Sequence, residues 1–248
     1  MKTWQSGYVY AKYEDKAYKI VVDSTTMNTE SVTLYYAREG REGQVIEGGT
    51  YDGWIILTDR NGLVEIVSPD VAKDAEGNVL TLTLGSGDTS VTVTKDLDGD
   101  ETYENDPQDT AILSYNNAIT TINNYCKEVM DMENVRSVGG TNNSATPYSS
   151  TNYDAWSPVT VDVASGDMQY ELDFVKLSYF GKVATTNEYW LASRCLDEYS
   201  GGVSFYVRDV REGSQNNCFL WGMASDGHVV SNNPSRGVRP VVINPSGI

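Results

Sequence analysis

Residues 189–243 read YWLASRCLDEYSGGVSFYVRDVREGSQNNCFLWGMASDGHVVSNNPSRGVRPVVI. The two ends, YWLASR (189–194) and GVRPVVI (237–243), are apolar and β-prone, as core strands are. The stretch between them has another character. Of the 43 residues from Cys195 to Gly237, 25 are Gly, Ser, Asn, Asp, Tyr, Arg or His, and none is Lys. Two core strands holding a long polar, Tyr- and Asn-rich excursion is how a scaffold presents a recognition surface. Tyr supplies contact area at low entropy cost, and Ser, Asn and Gly supply adaptable hydrogen bonding.

Composition narrows the chemistry. The 248 residues are 40% hydrophobic, enough for one large core or two modest ones. Eighteen Lys and Arg against 35 Asp and Glu leave a net charge of −17, a field that repels phosphate backbones and argues against nucleic acid as a partner. The acidity suits an exported or surface-displayed protein. A single histidine, His228, follows Asp226 and Gly227 in a turn-like stretch, which excludes multi-histidine metal sites and most histidine-based catalysis. Of the three cysteines, Cys195 and Cys218 lie at opposite ends of the excursion and are placed to close a loop; alternatively all three, with Cys126, are reduced and buried. No apolar run approaches the roughly 20 residues of a membrane span, and MKTWQSGYVYAKYEDK does not read as a signal peptide.

Working outward, residues 1–95 form a β-rich N-terminal region of short strands. A hairpin is expected in GYVYAKYEDKAYKIVVD (7–23) around Glu14, Asp15 and Lys16. SVTLYYA (31–37), GWIILTD (53–59), LVEIVS (63–68), VLTLTLG (79–85) and SVTVTKD (90–96) continue the pattern, with Arg60, Asn61 and Gly62 as a hairpin turn. The run DLDGDETYENDPQD (96–109) spaces Asp96, Asp98 and Asp100 like the first ligands of a calcium loop. Glu101 stands where that loop needs Gly, and Pro107 where it needs Glu, so the run reads as a solvated acidic linker and no metal is assigned. Ile112, Tyr115, Ile119, Ile122, Cys126 and Val129 then recur at three and four residues, which predicts one main helix over 109–132 with Asp109 as N-cap. Residues 137–157 read as loop, and DMQYELDFVKLSYFG (167–181) as a shorter helical or mixed element.

YWLASR, the Trp221-Gly222 pair and the closing GVRPVVI resemble the C-type lectin-like fold, and within it bacterial and phage proteins similar to formylglycine-generating enzymes. GWIILTDRNGLVEIVS, the Tyr115-Asn116-Asn117 helix and VRSVGG (135–140) resemble the same group, so the likeness runs from about 53 to 243. It implies an α+β domain over 103–248 with a small mixed or antiparallel sheet, one main helix and long loops, acting as a pilin-tip, surface or virion ligand-binding module. In some members a retroelement diversifies the excursion by mutating adenines, which favours Asn, Asp, Ser, Tyr, Gly, Arg and His and cannot produce Lys. Residues 195–237 fit that bias, and a plain polar loop shares much of it.

The departures from the family bear on activity. The closely spaced cysteine pair of formylglycine-generating enzymes is missing, since 22 residues separate Cys195 from Cys218. Related sulfoxide synthases need several histidines. The Glu-Pro-Asn or Gln-Pro-Asp and Trp-Asn-Asp signatures of calcium-dependent lectins are absent, Asn233-Pro234-Ser235 being the nearest fragment. Neither enzymatic nor calcium-lectin activity carries over, and no cofactor is expected.

In GVSFYVRDV (202–210), Val203, Phe205 and Val207 alternate with Ser204, Tyr206 and Arg208; the first set is expected in the core and the second toward solvent or ligand. The candidate ligand-binding residues are Asp197, Glu198, Tyr199, Ser204, Tyr206, Arg208, Asn216, Asn217, Ser225, Asp226, His228, Ser231, Asn232, Asn233 and Arg236. Trp190 and Trp221 are expected in the core, and Arg239 in an ion pair or on carbonyls. The expected function is non-enzymatic: an extracellular, cell-surface or virion adhesin or receptor-binding protein for a protein or glycan on another cell. A structural pilus or virion subunit and a carbohydrate-active enzyme using carboxylates are the alternatives.

Overall fold

The computed structural model describes residues 7–13, 16–22, 40–60, 62–139, 168–199, 202–223 and 229–248. The expected strand at 31–37 and most of the 137–157 loop lie outside them. The fold is α+β. In chain order it runs β1 (Gly7–Tyr13), β2 (Lys16–Val22), β3 (Ile55–Arg60), β4 (Leu63–Val67), β5 (Thr81–Thr83), α1 (Pro107–Met130) and β6 (Val135–Ser137). Then come α2 (Met168–Tyr179), β7 (Tyr189–Tyr199), β8 (Gly202–Arg211), β9 (Ser214–Met223), β10 (Val229–Ser231), β11 (Ser235–Val238) and β12 (Pro240–Ile243).

β1 and β2 form the expected hairpin, Tyr13 opposite Lys16. The other strands make two sheets, one ordered β10-β9-β8-β7-β11-β5 and the other β3-β4-β12-β6. β3, β4 and β5 are thus paired with strands from the C-terminal third. The expected border between a separate region ending at 95 and a domain beginning at 103 is corrected: from residue 40 onward both sheets draw strands from each side of it. The reason is pairing, since Val67 and Ile66 find their backbone partners in Val241 and Val242, not in a local hairpin alone. Nor is 90–96 a strand; Leu97 is buried, and the segment leading to it runs without ladder pairing.

The four-stranded sheet is buried on both faces, which explains its unbroken apolar runs. Ile56, Ile66 and Val242 point to a core shared with Ile112, Tyr115 and Ile122 of α1. Ile55, Val67 and Val241, the alternate positions, point to a second core shared with Leu177 of α2. The α1 stripe is the predicted one. Its N-cap is not: Asp106 accepts from the amides of Gln108 and Asp109, and Pro107 takes the first helical position, where its missing N–H costs nothing. Asp131 ends the helix in the left-handed region, φ 50°. Among the described residues no helix is long and apolar enough to cross a membrane.

GVRPVVI is not one strand but two. β11 pairs in parallel with β7, β12 pairs with β4 and β6, and Arg239 stands at the crossing. Arg239 is fully buried and donates to the carbonyls of Ser68 (2.9 Å), Lys182 (2.8 Å) and Val183 (3.1 Å). It is the carbonyl-bonding residue the sequence suggested, and it fastens the two sheets where the chain changes from one to the other.

Candidate functional site

The excursion is mostly sheet. β7, β8 and β9, of 11, 10 and 10 residues, pair antiparallel in succession, so the expected long loop is corrected to a three-strand platform with β10 at its edge. Backbone pairing between alternating residues such as Val207 and Cys218 overrides a composition rich in Asn and Gly. The platform also decides the cysteines. Cys195 is in register with Tyr206, and Tyr206 with Phe219, so β8 lies between Cys195 and Cys218. Two strand spacings are about 9.6 Å, beyond the roughly 7 Å that a disulfide spans, and Cys218 is a free thiol.

The predicted alternation along β8 holds from Phe205 to Arg208. Phe205 and Val207 are fully buried against α1, the Phe205 ring 4.9 Å from that of Tyr115 in a T-shaped contact. Tyr206 points the other way and meets Phe219 of β9 edge to face at 5.6 Å. Both rings are half-buried, as is Arg208 two residues on, opposite Asn217. The Arg208 Nε is buried without a hydrogen-bond partner among the described residues. Asn216, opposite Asp209, is half-buried on the other side of the sheet and donates to the Ser214 carbonyl at 2.8 Å.

Several expected site residues do other things. Ser204 is only 6% exposed, so its outward assignment is corrected: it is covered although it shares the parity of Tyr206. Arg236 is tied down, its Nε 2.8 Å from Glu188 Oε2 and 3.1 Å from the fully buried Asp209 Oδ2. Asp209 shares parity with Phe205 and Val207, so Arg236 belongs to the α1 side of the sheet and not to the Tyr206 face. Asn232 and Asn233 are exposed at their side chains but their loop is seated on the 85–87 turn. The Asn232 carbonyl accepts from the Ser86 amide at 3.1 Å, and a Cβ on Gly85 would lie 1.9 Å from that carbonyl. The backbone of Asp197 is in register with Ser204, Glu198 with Val203, Tyr199 with Gly202 and Ser231 with Trp221. The side chains of these four candidates, and those of Asn217 and Trp221, lie outside the described residues, as do Ser225, Asp226 and His228 altogether. Trp190 is fully buried as expected, its indole N–H donating to the Leu82 carbonyl at 2.9 Å.

A buried charge network, not foreseen from the sequence, holds α2 to the four-stranded sheet. The Arg136 guanidinium donates to Glu65 Oε1 (2.9 Å) and to both oxygens of Asp173. Lys176 Nζ donates to Thr58 Oγ1 (2.6 Å), which donates to Glu65 Oε2 (2.7 Å), and the Gly139 amide completes Asp173 (2.9 Å). Burial alone would lower Arg136, but the charges and bonds of Asp173 and Glu65 outweigh it and hold the guanidinium firmly charged. Burial lowers Lys176. All four ionisable groups are at most 3% exposed, so no substrate reaches them; they are a structural lock. The signal in the sequence was a charge at the centre of an apolar strand, Glu65 in LVEIV.

Two surface depressions, of about 290 and 300 Å³, are shallow and lie away from Tyr206, one at the end of α1 and one beside the 212–213 turn. Searches against protein-family models, curated proteins and solved structures return no match for this chain.

Proposed function

We propose that the chain is a non-enzymatic ligand-binding protein, an adhesin or receptor-binding module on a C-type lectin-like scaffold, displayed at a cell surface or on a virion. The observation that carries this reading is the Tyr206–Phe219 pair with Arg208 beside it, on the face of the β7–β9 platform turned away from α1. Half-buried aromatics next to an Arg are the residue types that dominate interfaces. They stand on long paired strands whose other face is packed core, so the surface is pre-organised and little ordering entropy is lost on binding. An aromatic and Arg patch on a sheet face suits a protein or a glycan surface more than a small molecule, which needs a concave site. Whether a retroelement varies residues 195–237 is testable in the flanking DNA: a near-copy of that coding stretch, differing at adenines, beside a reverse transcriptase gene.

Incubation with a glycan panel separates binder from enzyme. Retention of intact glycans, or of a cell-surface protein, supports the reading; release of shortened products overturns it.

A further inference from the structure

We propose that residues 96–109 hold one calcium-type divalent cation, ligated by Asp96, Asp98 and Asp109. The three carboxylates each bring an oxygen to within 4.8 Å of the others. Ligands at the 2.3–2.6 Å of a calcium–oxygen bond stand at most about 5 Å apart, so one ion reaches all three. Oxygen-only donors select hard cations.

The second observation is independent of the clustering. Asp109 is fully buried, and only one of its oxygens is accounted for. Oδ1 accepts from the amides of Leu97 (2.8 Å) and Asp98 (3.1 Å). Oδ2 is buried with no hydrogen-bond partner among the described residues. A buried carboxylate oxygen left bare is unfavourable in the charged state unless a cation or donor meets it. The neighbours supply the opposite of a donor: the carboxylates of Asp96 and Asp98 are the groups gathered around it. A divalent ion removes both penalties together. Asp100 and Asp106 form an overlapping triplet with Asp98 and are available as outer carboxylates. The sequence departs from a twelve-residue calcium loop because the last ligand comes from inside the first turn of α1.

The test uses the full chain stripped with EGTA and desalted, then titrated with CaCl2 by calorimetry and followed by thermal unfolding. One binding event per chain is expected, with Tm raised by about 5–10 °C at calcium near a hundredfold above Kd. Asp98→Asn should abolish the calcium-dependent rise while leaving Tm in EGTA at or above that of the parent, because it removes a repelling charge without touching the amide bonds of Asp109. Asp109→Asn should also abolish it, but that variant alone is not decisive since its Oδ1 ties down Leu97. No heat and no change of Tm with calcium in the parent chain, or a full calcium response in Asp98→Asn, would overturn the assignment.

Discussion

Tyr206 and Phe219 meet edge to face across β8 and β9, ring centroids 5.6 Å apart, while the residue next to Tyr206, Phe205, turns to the opposite side and meets Tyr115 of α1. One strand therefore carries a core aromatic and a surface aromatic side by side. Phe205→Ala should cost about 3–5 kcal/mol of stability, as a fully buried ring lost from the core. Tyr206→Ala should cost only about 0.5–1.5 kcal/mol, the worth of a partly exposed aromatic pair. Urea unfolding of the two variants checks this; equal losses would mean that both rings are core.

The Arg136 lock makes a sharper contrast. Arg136→Met leaves Glu65 and Asp173 buried without their cation and should destabilise by about 3–5 kcal/mol. Arg41→Met breaks the ion pair to Asp59 (2.9 Å), whose Arg side chain is 44% exposed, and should cost under about 1 kcal/mol. The comparison is read from denaturant midpoints at constant m-value.

The thiols offer a chemical test of the platform. Burial pushes Cys126 up to about 12 and Cys218 up to about 11, so neither supplies thiolate near neutral pH. At pH 8 both should resist iodoacetamide in the folded protein and react fully in denaturant. Peptide mapping without reductant should find Cys218 unpaired. A Cys195–Cys218 bridge would require strands β7 and β9 to be neighbours and would contradict the observed order.

Much of this was legible in the sequence because it is periodic. The α1 stripe, the β8 alternation and the 53–68 hairpin follow from spacing alone, and Arg239 was readable as a structural residue because it interrupts an apolar strand. What escaped is long-range. Arg136 bonds to Glu65 and Asp173 across 71 and 37 residues, and no local pattern announces such a meeting. The platform escaped because Asn- and Gly-rich strands look like loops until their partners are known. Spacing alone points to Asp109 as the cap, whereas Asp106, just before Pro107, makes the capping bonds and Asp109 is a buried carboxylate.

The display face itself is tested most directly by a triple variant, Tyr206→Ala, Arg208→Ala and Asn217→Ala, the last paired in register with Arg208, compared with the parent on a glycan array and on intact bacterial cells, with thermal unfolding measured on the same samples. The expected result is a variant that unfolds within a few degrees of the parent yet loses at least tenfold in retention on every surface the parent binds. Unchanged retention by a folded triple variant would contradict the assignment of this face as the binding site.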